Sequence, residues 1–164
     1  MKPQLYNWLK GVDSKSLTEE DKEELLLLFM VTKNDLIRNQ IAFIFSDIAF
    51  EKAIPYILKK INDKRIAHNN GSLVYSLESF DLKKYFIPII KIISEHEYEP
   101  RLWAYGIAEQ LLPKMSVKMK EKALIILESR RRTLERFSSE KGINSSLHFI
   151  EKTIEMINEN TSTV

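Results

Sequence analysis

Apolar residues in this chain recur at intervals of three and four almost everywhere, and that spacing limits the fold more than any other feature. Ile37, Ile41, Ile44 and Ile48 are separated by four, three and four positions, which places all four on one face of a helix. Ile54, Ile57, Leu58 and Ile61 repeat the pattern. Strict alternation bounded by turn residues, which half-buried strands require, is hard to find. Only four of the 164 residues are glycine, well under the usual share of about 7%. Phosphate-cradling glycine loops and glycine-punctuated β folds are therefore both disfavoured, and the fold class expected is all-α.

An apolar fraction of 44% with a formal net charge of +2 is enough to bury a core, so the expectation is one domain over residues 1–164 rather than a disordered chain. The absence of cysteine excludes a disulfide scaffold, a thiol nucleophile and a thiolate zinc site. The first ten residues contain Lys2, Pro3, Gln4, Asn7 and Lys10 and no continuous apolar stretch, unlike a secretory signal. The longest apolar run, Leu25 to Val31, has seven residues, far fewer than a bilayer requires. A soluble, cytoplasmic protein is expected.

Start and stop signals divide the periodic pattern into helices. Pro3 to Lys10 reads as a short helix stopped by Gly11. Ser16 with Glu19, or Thr18 with Asp21, forms a capping box before a second helix that ends near Val31. Further helices are expected from Asn34 or Asp35 past Ile48, from Lys52 to Asn62, from Ile66 to Phe80 and from Leu82 to Glu95. Three more follow, from Glu99 to Leu112, from Ser116 to Phe137 and, after a break at Gly142, from Ser145 or Ser146 to Glu159, with a frayed tail over 160–164. The stretch Asn69-Asn70-Gly71 is the weakest part of the helical reading, because Asn-Gly is also a hairpin signal.

The helices recur in pairs. Ala53-Ile54-Pro55-Tyr56-Ile57 and Phe86-Ile87-Pro88-Ile89-Ile90 lie 33 residues apart, and the segment opening at Arg38 can be laid on the one opening at Arg101, 63 residues on. Starts near 19, 52, 82 and 116 for one class of helix, and near 35, 66, 99 and 145 for the other, give pairs over 16–50, 51–80, 81–112 and 115–159 behind an N-terminal helix at 1–11. This arrangement resembles the HEAT-like family of α-helical repeats. Pro55 and Asp63 have the spacing of that family's first-helix proline and turn aspartate, and Ile37-Arg38 matches the opening of a second helix. His68-Asn69 and His96 depart from the pattern at the equivalent places. The resemblance implies a short right-handed α-solenoid of about four helix pairs, with second helices lining a concave groove.

Transferring equivalent positions puts Arg38, Asp47, Tyr75, Glu78, Arg101, Tyr105 and Glu109 in that groove. Tyr and Arg are favoured interface anchors. The competing reading is that Tyr75 and Tyr105 pack between neighbouring helices while the charges are solvated.

No chemistry is expected. His68, His96 and His148 show no metal-ligand spacing, and same-face carboxylate pairs such as Glu20 with Glu24 arise on any helix. No Walker, Rossmann or G-x-S-x-G pattern is present, so catalytic, cofactor and metal sites are all expected to be absent. Charge is distributed unevenly: residues 113–141 hold nine basic residues (Lys114, Lys118, Lys120, Lys122, Arg130, Arg131, Arg132, Arg136 and Lys141) against four acidic ones. A basic helix at 114–136 can meet phosphate backbones, although Glu121, Glu128 and Glu135 interleave with it and form ordinary same-face pairs.

Small HEAT-like proteins of bacteria include immunity proteins of toxin-delivery systems. The resemblance accordingly implies a cytoplasmic protein-binding module that neutralises a cognate toxin, of the contact-dependent inhibition type, with Asp47, Glu78 and Glu109 suiting a basic nuclease. The alternatives are a HEAT-like nucleic-acid-binding or DNA-repair protein, with Asp47 near Trp103 or Tyr105 as its glycosylase form, and a scaffold subunit.

Overall fold

Two helices of this protein, α2 (Glu19–Val31) and α3 (Asp35–Asp47), begin on side-chain caps that can be named. The computed structural model describes residues 3–63, 65–66, 70–136 and 144–162. Among them every regular element is a helix, and by the pattern of contacts they fall into two compact units that divide after Phe80.

The first unit contains α1 (Pro3–Gly11), α2 (Glu19–Val31), α3 (Asp35–Asp47), α4 (Ile54–Ile61) and α5 (Gly71–Tyr75). Of the two capping boxes open to the sequence, the chain uses Thr18 with Asp21: the Asp21 amide donates to the Thr18 hydroxyl at 3.2 Å and the Thr18 amide to the Asp21 carboxylate at 2.8 Å. Ser16 is engaged elsewhere, in a 3-10 turn where its hydroxyl donates to the Asp13 carbonyl at 2.8 Å. Asn34 caps α3 through the Ile37 amide, at 2.9 Å. At the far end of α3 the Phe50 amide reaches the Phe45 carbonyl at 2.9 Å and the Ala49 amide the Ser46 carbonyl at 3.2 Å. These are the two bonds of a Schellman motif. The apolar contact that accompanies such an ending is the Phe45–Phe50 ring pair, 5.4 Å between centroids. Ala49 sits at the left-handed position, with φ of 50°.

Helix α3 is the centre of this unit, packed against α1, α2 and α5. Ile37, Ile41 and Ile44 are buried as their spacing requires, and so are Ala42 and Phe45 on the adjoining face, with Phe29 of α2 edge-on to Phe45 at 6.0 Å. Two expectations are corrected here. Ile48 lies outside α3, as its C-terminal cap, and is only half-buried. Of the helix foreseen over 66–80, residues 67–69 lie outside the described residues, and from Asn70 onward it is reduced to the five residues of α5, followed by turns through Ser79. Asn70 does not form a hairpin corner; its side-chain amide donates 2.7 Å to the Ile61 carbonyl at the end of α4, so a tertiary bond sets where α5 begins.

The second unit contains α6 (Phe86–Glu95), α7 (Tyr98–Leu111), α8 (Val117–Arg136) and α9 (Asn144–Ser162). Helix α6 packs on α7, α8 and α9, while α9 packs on α8 and α7. Being covered from several directions, α6 is apolar around most of its circumference: Phe86, Ile89, Ile90, Ile92 and Ile93 are all fully buried, and only a narrow strip with Lys91 and Glu95 is exposed. The 33-residue recurrence has a structural counterpart. Pro55 and Pro88 each stand in the first turn of a helix, α4 and α6, that grows directly from a 3-10 turn, Glu51–Ala53 and Lys83–Tyr85. Helix α9 continues to Ser162, three residues beyond the expected end, with the Asn160 and Thr161 side chains donating to carbonyls one turn back. The break foreseen at Gly142, the end of α8 foreseen at Phe137, and His68 all lie outside the described residues.

Candidate functional site

The seven residues assigned to a groove divide between the units and between two roles. Arg38 is 1% and Arg101 4% exposed. Arg38 donates 2.7 Å to Asp35 one turn earlier in α3. The Arg101 guanidinium closes the C-terminus of α6, where carbonyls lack intrahelical partners: its Nε donates to the Ile93 carbonyl at 2.7 Å and its Nη2 to the His96 carbonyl. Arg130 of α8 adds a bond to the Ser94 carbonyl at 3.0 Å. Three carbonyls at one helix end, of Ile93, Ser94 and His96, are thus held by arginines from two other helices. Burial lowers the affinity of Arg101 for its proton, and Arg130 pushes the same way. Arg38 and Arg101 are inside the fold and present no exposed surface to a partner.

The other five residues are at or near the surface. In the first unit Tyr75 is 44% exposed and meets Phe43 edge-on at 6.1 Å. The Ser46 and Ser79 hydroxyls share a hydrogen bond of 2.8 Å, which joins the end of α3 to the turns after α5, and Asp47 and Glu78, each one residue away in sequence, are exposed. Phe43, which the sequence reading passed over, lies four residues before Asp47 and shares its helix face.

In the second unit Tyr105 is half-buried and Glu109, one turn later, is exposed. Tyr105 meets Phe149 of α9 edge-on at 5.8 Å, and Tyr98 meets the same ring at 5.8 Å. Burial raises the phenol of Tyr105, and Glu109 adds to the effect. Tyr98, Leu102, Tyr105 and Glu109 follow at intervals of four, three and four and form one accessible stripe of α7. That spacing was the signal for including Tyr98 and Leu102. Tyr105 therefore does what the packing reading foresaw while leaving one edge in solvent. Asp47 and the Trp103–Tyr105 pair, combined in the glycosylase reading, belong to different units.

Helix α8 distributes its charge with the same economy. Lys120 is buried and donates 3.0 Å to the Asn160 carbonyl near the end of α9. Arg131 pairs with Glu128 at 2.8 Å and Glu135 at 3.7 Å, as their spacing foretold. Lys118, Lys122, Arg132 and Arg136 are exposed and form no ion pair among the described residues. Between them Ile125 is 70% exposed, beside a hollow of about 470 Å³ lined by Leu124, Glu128, Ser129 and Thr133 among others.

Among the described residues no three His, Asp or Glu side chains converge as a metal site requires, and no helix is long and apolar enough to cross a membrane. Comparison with protein-family models, with curated proteins and with solved structures gives no match.

Proposed function

We propose that this chain is a protein-binding module that engages a basic partner through Phe43, Asp47, Tyr75 and Glu78 of the first unit; the second unit carries its own stripe of Tyr98, Leu102, Tyr105 and Glu109. One observation carries the reading. A partly exposed tyrosine meets an aromatic neighbour of α3 edge-on, and a serine–serine bond joins the two segments that carry the exposed Asp47 and Glu78. A rigid aromatic with few rotors anchors an interface at small entropic cost, and carboxylates at its rim steer a basic partner and select against an acidic one.

The finer reading is an immunity protein of the cytoplasm, of the contact-dependent inhibition type, built as a short right-handed solenoid of HEAT-like pairs that covers a toxin's basic active surface. The recurrence of a 3-10 turn feeding a proline-bearing helix supports the repeat. The packing of α6 on α8 and of α7 on α9, first helix on first and second on second, supports the stacking.

The test is co-expression with the polypeptide encoded immediately upstream of this chain's gene. A stable complex, together with rescue of growth when that polypeptide is toxic, supports the reading. A charge-reversed Asp47→Lys/Glu78→Lys chain should lose both while melting at the same temperature. Absence of a complex, or a complex indifferent to the reversal, contradicts it.

A second reading rests on the unpaired cations of α8. Lys118, Lys122, Arg132 and Arg136 on one exposed face suit a phosphate backbone. Salt titration against labelled duplex decides it: affinity falling across all sequences as salt rises favours nucleic acid, and no binding at low salt dismisses it.

A further inference from the structure

A second cleft lies in the first unit, lined by none of the residues just described. Two cavities, of about 210 and 470 Å³, have Met30, Lys60, Asp63 and Arg65 in common as lining. The smaller adds Tyr56 and Lys59 and the larger adds Lys33, at the C-terminal ends of α2 and α4.

Charge in this cleft is unbalanced, and the imbalance has a geometric cause. Asp63 is the one carboxylate in the lining, and Arg65 takes both of its oxygens: Nε donates to Oδ1 at 2.9 Å, Nη2 to Oδ2 at 2.7 Å, and the Arg65 amide to Oδ1 at 3.1 Å. That clamp holds Asp63 at about 2, so it stays ionised, and its hydrogen bonds go to Arg65 rather than to Lys60. The Lys60 ammonium is half-buried and forms no hydrogen bond or ion pair among the described residues, and neither do Lys33 and Lys59. Burial pushes Lys60 below the ordinary lysine range; Asp63 pulls it back, while Arg38, Arg65 and Lys59 push it further down. The carbonyl ends of α2 and α4 favour nearby cations. A helix end is worth little to an ammonium already stripped of part of its water, and three lysines share these two ends.

We propose that the cleft is a binding site for a small phosphate monoester, whose dianion is received by Lys33, Lys59 and Lys60 and whose apolar body lies against Met30 and Tyr56. A doubly charged head matches a surplus of ammonium groups that one carboxylate would not neutralise. The concave walls shelter a small molecule, and the thioether and phenol ring beside the lysines favour an ester over free phosphate. The proposal is independent of the protein-binding reading, and either can fail alone.

Calorimetric titration of the intact chain tests it, with phenyl phosphate as probe, inorganic phosphate as the arm that isolates the head group, and phenol as the uncharged control. The expected result is saturable binding of phenyl phosphate, weaker binding of inorganic phosphate and none of phenol. Lys60→Met keeps the aliphatic stem and should weaken phenyl phosphate about tenfold or more, with an unchanged or higher melting temperature because no charge is then buried. Shifts of the Met30 methyl and Tyr56 ring resonances on titration should place the ligand. Phenol binding as well as phenyl phosphate, Lys60→Met binding as well as the parent, or no binding at millimolar probe would each overturn the site.

Discussion

Arg38 and Arg101 stand at equivalent places in the recurrence, 63 residues apart, and both are buried. The alignment that paired them was informative, but the role inferred from residue type was not, since an arginine suits an interface anchor and a helix cap equally well. Arg101 holds two carbonyls at the end of α6. Arg101→Met should therefore cost about 3 kcal/mol, since hydrogen bonds to a buried charge contribute about 1.5–3 kcal/mol each and orphaned carbonyls add to the loss; urea-denaturation midpoints will show it. His96, whose carbonyl Arg101 holds, gives a pH signature. Burial lowers its proton affinity from the ordinary 6.5; Glu95 and Glu97 oppose this and Arg101 reinforces it. The unfolded chain then binds the proton more readily than the native one, so His96 contributes stability above pH 6.5 that is lost as pH falls below it. His96→Gln should flatten that part of the pH–stability profile; an unaltered slope would assign it to other groups.

At the scale of elements, helix existence was legible and helix ends were legible only where the signal is local. The Thr18–Asp21 box and the Asn34 cap can be read from four residues each. The shortening of the 66–80 helix to α5 cannot, because a bond from Asn70 to the distant end of α4 decides it. The Schellman ending of α3 was invisible for a related reason: the chain places alanine where glycine is usual, and the Phe45–Phe50 contact holds the left-handed residue in place. Ala49→Gly should raise stability by about 1 kcal/mol, since an L side chain in that conformation costs roughly 1–2 kcal/mol and glycine returns part of the gain as unfolded-state entropy; thermal or urea unfolding will register the change. Thr18→Ala should cost about 1 kcal/mol and raise hydrogen exchange at the first turn of α2 without affecting α6.

For the molecule as a whole, the repeated helices supplied two kinds of residue at neighbouring positions, buried arginines at Arg38 and Arg101 and more accessible tyrosines and acids. Sequence equivalence located both sets and could not separate them, because burial of Arg38 and Arg101 depends on helices elsewhere in each unit. Exposed tyrosine and acid remain at the surface of the first unit, at Tyr75, Asp47 and Glu78, and the proposal is that they bind a basic protein. Its most direct test is titration of the intact chain with the polypeptide encoded upstream, in parent and Asp47→Lys/Glu78→Lys forms. The predicted result is tight binding by the parent, steepening as salt is lowered, and a loss of about 100-fold, near 2.7 kcal/mol, in a charge-reversed chain that melts unchanged. Equal affinity of the two forms would contradict the proposal and move the interface off these residues.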